Sequence, residues 1–202
     1  MRYLKSALAS LVSRHALDAD TEAIDSAIHE QYMKNLTALM FRFKAKDAKA
    51  AQATCLSPRE QFDFDVFEWM RPLLLQNNGE EVEDILWVFR EPADAVQAAI
   101  DLRRAVRERE EGSSDLGQLM GVGIHTGELL FIEGTDVHWG DPVNTASKLG
   151  EDMASDGEII ITADVYAAVN QLPSFEEMSF VETTLKRSKV TFHCYTVQEG
   201  YE

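Results

Sequence analysis

An α+β fold, a sheet with helices packed on it, is what this sequence predicts. Three observations carry the prediction. Apolar runs of strand length alternate along the chain with longer stretches of helical period. Turn and cap residues punctuate the joins, notably Ser57-Pro58, Asn77-Asn78-Gly79 and Asp141-Pro142. The elements follow one another in a β-α-β-β-α-β-like order, which predicts a sheet with helices on one face. At 202 residues the chain suits one domain plus a small extension. It shows no internal repeat and no low-complexity linker, so no second domain is expected.

Residues 1–35 read as a helical extension. Leu4, Leu8, Leu11 and Val12 recur on one face, and Asp20 or Thr21 caps a second helix through Tyr32. This pair either packs on its own domain or dimerises. Leu36–Phe43 reads as a buried strand, being continuously apolar before a single charge. Lys44–Ala53 is alanine-rich and favours helix. Ser57 as N-cap and Pro58 at the first helical position open a helix with a broad apolar face, Phe62 to Leu74. Glu80–Phe89 is strand, with Ile85–Phe89 its apolar part, and Gly79–Asp84 pairs back as a hairpin. Ala93–Arg107 is an amphipathic helix, and Glu108–Gly117 a charged loop. After residue 150 the pattern predicts a strand at Glu158–Thr162 and a helix at Ala163–Asn170. A final hairpin, Glu182–Leu185 with Val190–Val197, turns at Lys186–Lys189.

The net charge of −16 excludes the basic stripe that a nucleic-acid partner would need. It leaves a nucleoside triphosphate open, because local cations and metals set the field in such a site. Cys55 and Cys194 make no metal or redox spacing, and both are expected to pack as small apolar groups in a reducing, cytoplasmic compartment. No apolar run reaches the length of a membrane span. The N-terminal run is broken by Arg14 and is a poor signal peptide.

The most informative stretch is Gly121–Leu149. Val122, Ile124 and Thr126 alternate as in a strand. A hairpin with Gly127 at the turn is expected, its second strand running from Glu128 to Ile132. A polar loop, Glu133–Asp136, follows. Asp141 then reads as N-cap and Pro142 as the first residue of a helix. Val143, Ala146 and Leu149 share one face of it. Asn144 and Lys148 lie four apart on another, an amide donor and a cation placed to share one anionic ligand.

The runs Gly123-Ile-His-Thr-Gly-Glu128 and Trp139-Gly-Asp-Pro-Val-Asn-Thr-Ala-Ser-Lys-Leu149 resemble the catalytic domain of class III nucleotidyl cyclases, the adenylate and guanylate cyclases. The resemblance covers about Leu36 to Val197 and implies a ferredoxin-like core within a domain spanning residues 36–202. It implies Mg²⁺ or Mn²⁺ as cofactor, held by two carboxylates, and cyclisation of a nucleoside triphosphate with release of pyrophosphate. It also implies a site shared between two subunits, in a homodimer or in a heterodimer with another cyclase-type domain.

The residues the family needs are unevenly present. The first carboxylate, from a Phe-x-Asp run, falls on Phe43, or on Arg42 with the frame shifted by one; neither ligates a cation. Asp47 is the nearest acid beyond Lys44 and Lys46. The second carboxylate, six residues before Phe89, is Glu83, with Asp84 beside it and Val82 in place of the family's glycine. These two acids serve equally well as hairpin surface charges. The base-reading position, seven residues before Asn144, is Val137, with Asp136 adjacent; the lysine that would accompany it aligns near Gly79. Asn144 matches the ribose-orienting asparagine. Lys148 stands for the arginine that neutralises the transferring phosphate, keeping the charge but losing the planar fork. The bland reading of this pair is a local cap and a solvated lysine. His125 fits the family pattern and reads as structural; His138 carries no signal.

Weak or no metal binding is therefore expected. The reading that follows is a catalytically impaired cyclase-like domain, acting as a regulatory or heterodimer-partner subunit in cyclic nucleotide signalling. Two alternatives stay open. One is a divergent active cyclase using Glu83, Asp84 or Asp47. The other is a ferredoxin-like interaction module with no nucleotide site.

Overall fold

The computed structural model describes residues 8–13, 21–44, 58–112, 118–133, 138–187 and 190–199. The readings placed on Leu4, on 45–53 with Asp47, on Cys55 and Ser57, and on Asp136 and Val137 lie outside these residues. Helix α1 (Thr21–Tyr32) runs straight into strand β1 (Met33–Lys44), followed by α2 (Pro58–Gln76), β2 (Glu80–Glu83), β3 (Leu86–Phe89) and α3 (Pro92–Gly112). Then come β4 (Gln118–Phe131), the short β5 (His138–Trp139), α4 (Asp141–Ser147) and a π-helical turn, Lys148–Met153. Strand β6 (Glu158–Thr162), α5 (Ala163–Val169), a 3₁₀ turn at Pro173–Phe175, β7 (Met178–Arg187) and β8 (Val190–Glu199) complete the chain.

The strands form one sheet in the order β2-β3-β1-β4-β6-β8-β7, with β5 paired to β4. The first four neighbours, β2-β3-β1-β4, are the ferredoxin-like arrangement of a β-α-β-β-α-β unit, every pair antiparallel. Strand β6 joins β4 in parallel, which requires the crossover that α4 supplies.

Period-two alternation sorts the side chains onto two faces. Leu39 and Phe41 of β1, Val122 and Ile124 of β4, and Ile159 and Ile161 of β6 point into the main core, under α2, α3 and α5. Ala38, Met40, Ile160 and Cys194 point the other way, towards α4 and the π-helical turn. The expectation of helices on one face thus holds for α2, α3 and α5, while α4 lies across the opposite face.

Four features of the sequence reading change. The hairpin at Gly127 does not form. Strand β4 continues through it, pairing with β1 without a break from Gly121↔Arg42 to Leu130↔Met33. Gly127 is needed for clearance instead: a Cβ there would lie 3.3 Å from Cγ of Pro142. Strand β1 opens at Met33 rather than Leu36, because residues 33–35 have partners on this extended β4. Helix α3 carries on to Gly112, through charges expected to form loop. The last hairpin is also longer than its apolar part, Met178–Arg187 with Val190–Glu199.

Helix α1 docks on the sheet. Ile24 and Tyr32 are buried, and Nε2 of His29 approaches Glu128 of β4 at 3.4 Å. No helix of the described residues is long and apolar enough to cross a membrane.

The far face depends on a stripe of small residues. Gly121, Gly123, His125 and Gly127 alternate along one side of β4 and leave a flat floor. A Cβ on Gly123 would sit 2.2 Å from the carbonyl of Ala146 and 2.4 Å from the nitrogen of Gly150. A Cβ on Gly150 would lie 2.5 Å from the carbonyl of Met40. Backbone therefore lies on backbone, and neither contact can yield as a flexible side chain would. Gly123→Val and Gly150→Val are each expected to lower stability by about 1–3 kcal/mol or more, read as a fall in the urea midpoint. An unchanged midpoint would show that α4 does not rest on this floor.

Cys194 lies fully buried beneath the same turn, packed with Leu149, Ala154 and Ile160. Burial pushes its thiol up from 9.0 to about 11. At about pH 8 only about one thiol in a thousand is then ionised. In a Cys55→Ser background, a thiol reagent at that pH is expected to label Cys194 only on unfolding. Because the folded group holds its proton longer than the unfolded one, its contribution to stability is complete below pH 9.0 and declines as pH rises to about 11. Prompt labelling of the native chain would contradict the burial.

Candidate functional site

The end of β1 and the β2–β3 turn meet. Met40 pairs with Leu86, and the Phe41 N–H donates to the Ile85 carbonyl at 3.3 Å. These neighbours are where the sequence placed the two carboxylates, so the fold brings the two positions together. What they carry differs. Beyond Phe41 the β1–β4 register shifts between Arg42 and Phe43, a bulge. Arg42 is left exposed, and the Phe43 ring turns to the core, edge-on to Phe41 with centroids 5.8 Å apart. Neither residue offers an oxygen ligand at this strand end.

Across from it, the hairpin carries four acids, Glu80, Glu81, Glu83 and Asp84. Glu81 takes two hydrogen bonds from Arg71, from Nε at 2.9 Å and Nη2 at 2.8 Å. That hydrogen bonding raises the Arg71 guanidinium above its ordinary value. Glu83 is 57% exposed, with Oε1 at 3.6 Å from Nε2 of His138 on β5. Asp84 is exposed in the turn. Among the described residues, no three His, Cys, Asp or Glu side chains gather as metal ligands. A two-cation centre needs two carboxylates converging on the ions. Arg42, Phe43 and a Glu83 facing His138 do not fit one.

The other half of the predicted site is on α4. Asp141 is the first helical residue rather than the N-cap; Gly140 caps, and makes no side-chain bond. The reason is that both Asp141 oxygens are engaged elsewhere. Oδ1 accepts from the Thr145 hydroxyl at 3.2 Å, and Oδ2 lies 3.3 Å from Nε2 of His125. Asn144 is exposed and its amide folds back to the Gly140 carbonyl, at 3.3 Å. Lys148 opens the π-helical turn, its ammonium 6.0 Å from the centre of the Phe192 ring on β8. Asn144 and Lys148 thus share a helical run but lean apart.

Sheet order separates the two halves. From β2, which carries Glu83, to β8, under Lys148, is five strand steps. With its ammonium directed towards β8, Lys148 points away from the hairpin that carries Glu83.

Two arrangements were not read from the sequence. The first is the His138–Glu83 pair, which no spacing suggests because β5 is only two residues long. The second is the environment of His125, which bridges Asp141 to Thr162. Its period-two position among the glycines of β4 was the available signal.

Comparison of the sequence with family models and with curated proteins finds no match. Comparison of the fold does. The chain is similar to an adenylate/guanylate cyclase/hydrolase from Silicibacter pomeroyi, with a TM-score of 0.65 and 18% identity over 84% of this chain and 98% of that one. It is similar to the adenylyl cyclase CyaB from P. aeruginosa, with a TM-score of 0.60 and 17% identity over 84% of this chain and 97% of the other. It is also similar to the guanylate cyclase domain of RhGC from Catenaria anguillulae, solved in complex with GTP. There the TM-score is 0.59 and the identity 16%, over 84% of this chain and 99% of that domain. The chain has the fold of class III adenylate and guanylate cyclase domains.

Manganese titrated into the chain alone, followed by the electron-spin signal of the free ion, is expected to show no saturable uptake at micromolar concentration. Saturable uptake that Glu83→Gln removes would overturn the reading of this end of the sheet.

Proposed function

We propose that this chain is a cyclase-fold subunit that does not turn over alone. It lends the α4 half of a nucleotide site to a partner domain in cyclic nucleotide signalling. The observation that carries the reading is the Phe43 ring packed on Phe41 where a metal-holding carboxylate belongs. The direction of Lys148, towards β8 and away from Glu83, supports it.

In that arrangement Asn144 leaves the Gly140 carbonyl and presents its amide to the ribose of a triphosphate. Lys148 swings from Phe192 and sets its ammonium against charge on the phosphate being transferred. As a point charge it neutralises that phosphate but does not grip two oxygens in one plane.

A second reading has its own support. Asn144 and Lys148 already have partners within the chain, as they would in an interaction module that takes no nucleotide. Calorimetry with a non-hydrolysable triphosphate separates the two, since only the first predicts heat on mixing.

Purified alone with Mn²⁺ and ATP, GTP, CTP or UTP, the chain is expected to give no cyclic nucleotide. Mixed with a cyclase domain that carries both carboxylates but lacks its own asparagine, it is expected to restore product. Asn144→Ala is expected to cut that product by about a hundredfold, as loss of a positioning contact does. Turnover by the chain alone would overturn the proposal.

A further inference from the structure

Within the glycine stretch of β4, between Gly121 and Gly127, stands one large side chain, His125, and that ring has a partner at each end. Nδ1 lies 2.9 Å from the Thr162 hydroxyl, and Nε2 lies 3.3 Å from Oδ2 of Asp141. The ring is well buried, at 12% exposure.

Both partners give something up. Thr162 stands at the N-cap of α5 yet makes no side-chain cap bond there, although a capping hydroxyl is worth about 1 kcal/mol. Asp141 stands in the first turn of α4, where its carboxylate could face the helix amides; instead Oδ1 takes the Thr145 hydroxyl of the same helix and Oδ2 faces the ring.

Proton counting leaves one neutral arrangement that satisfies both contacts. An ionised carboxylate only accepts, so Nε2 must carry the proton towards Asp141. Nδ1 then holds a lone pair, and Thr162 must be the donor. The ring thus joins the β6–α5 corner to the first turn of α4. That turn is the free end of the run: the other end continues into the π-helical turn, whereas here the glycine cap contributes no side-chain bond.

We infer that His125 is a positioning residue, a strut between Thr162 and Asp141 that fixes the first turn of α4 and so the direction in which Asn144 and Lys148 point. The consequence for nucleotide rests on the proposed function. The strut itself does not.

The test is a double-mutant cycle. Asparagine at this position reaches the place of Nδ1 but not of Nε2; glutamine does the reverse. His125→Asn and Asp141→Ala are each expected to speed amide exchange across Asn144–Lys148 by about tenfold, with the double variant no faster than either single one. His125→Gln, which keeps the Asp141 contact, is expected to retain most of the protection. Nitrogen shifts of the ring should report the proton on Nε2. In the complemented pair, His125→Asn should lower kcat about tenfold with KM little changed, an outcome that general loss of fold does not mimic. Multiplicative exchange effects, or a ring protonated only on Nδ1, would overturn the strut. Absence of product with every partner, alongside a coupled exchange cycle, would instead overturn the proposed function and leave the strut standing.

Discussion

The close seating of α4 and its π-helical turn on the backbone of β1 and β4 is the constraint on which the rest of this structure depends. Strand β4 is fourteen residues long, and its core side presents Val122 and Ile124 like any buried strand. On its other side Gly121, Gly123 and Gly127 alternate around His125, and side chains fill in only beyond them, at Leu129 and Phe131. Those glycines let the chain cross the sheet at backbone distance, which places β6 parallel to β4 and lets β8 and β7 follow. The same crossing sets Asn144 and Lys148 over the sheet. A local requirement for clearance therefore governs both the topology and the direction of the candidate ligand-facing groups.

This explains which parts of the molecule were legible beforehand. The alternation Val122, Ile124, Thr126 marks a strand, and the run from Trp139 marks a helix start. The order of the first four strands is implied by the β-α-β-β-α-β succession. Gly127 misled because a glycine between two apolar runs is the ordinary signature of a turn. Here its missing side chain makes room for Pro142, a contact fifteen residues away in sequence. Asp141 misled for a related reason. An aspartate before proline is a natural N-cap, but His125, brought close only by the fold, competes for its carboxylate. Local chemistry reads local partners; both errors come from distant ones.

The candidate site divides along the same line. Phe43 and Glu83 could be assigned to neighbouring positions because each is fixed by counting within a strand. That Glu83 faces His138 could not, since β5 contributes two residues and reaches the hairpin only through the long excursion after β4. Nor could the direction of Lys148 be foreseen. Its helical neighbour Asn144 suggested convergence, yet the chain widens into a π-helical turn at Lys148, closed by the Ala154 N–H on the Leu149 carbonyl at 2.8 Å. A turn of that width rotates the side chain away from the α-helical spacing of four. Lys148 is carried towards β8.

On the proposed reading, the end of β1 shows what an unused metal site of this kind would cost. Two carboxylates held close without a cation repel each other, and one must take up a proton or move aside. Arg42 and Phe43 remove that conflict. The bulge sends the Phe43 ring against Phe41, an edge-on pair worth about 0.5–1.5 kcal/mol beyond the area it buries, while the Arg42 charge stays in water. Glu83 keeps a single carboxylate, most of it solvated, beside an imidazole. Arg42 and Phe43 place no second carboxylate beside it. Sites that bind and react commonly give up stability for function; here the trade runs the other way, at the strand end where the ions would sit. The opposite bargain holds at α4, where Thr162 forgoes its cap bond and Asp141 turns one oxygen to His125 to hold a short helix whose exposed side chains have little structural work to do. On the proposed reading, a chain that settles one half of a shared site into core and keeps the other half braced and exposed completes a partner's site rather than its own.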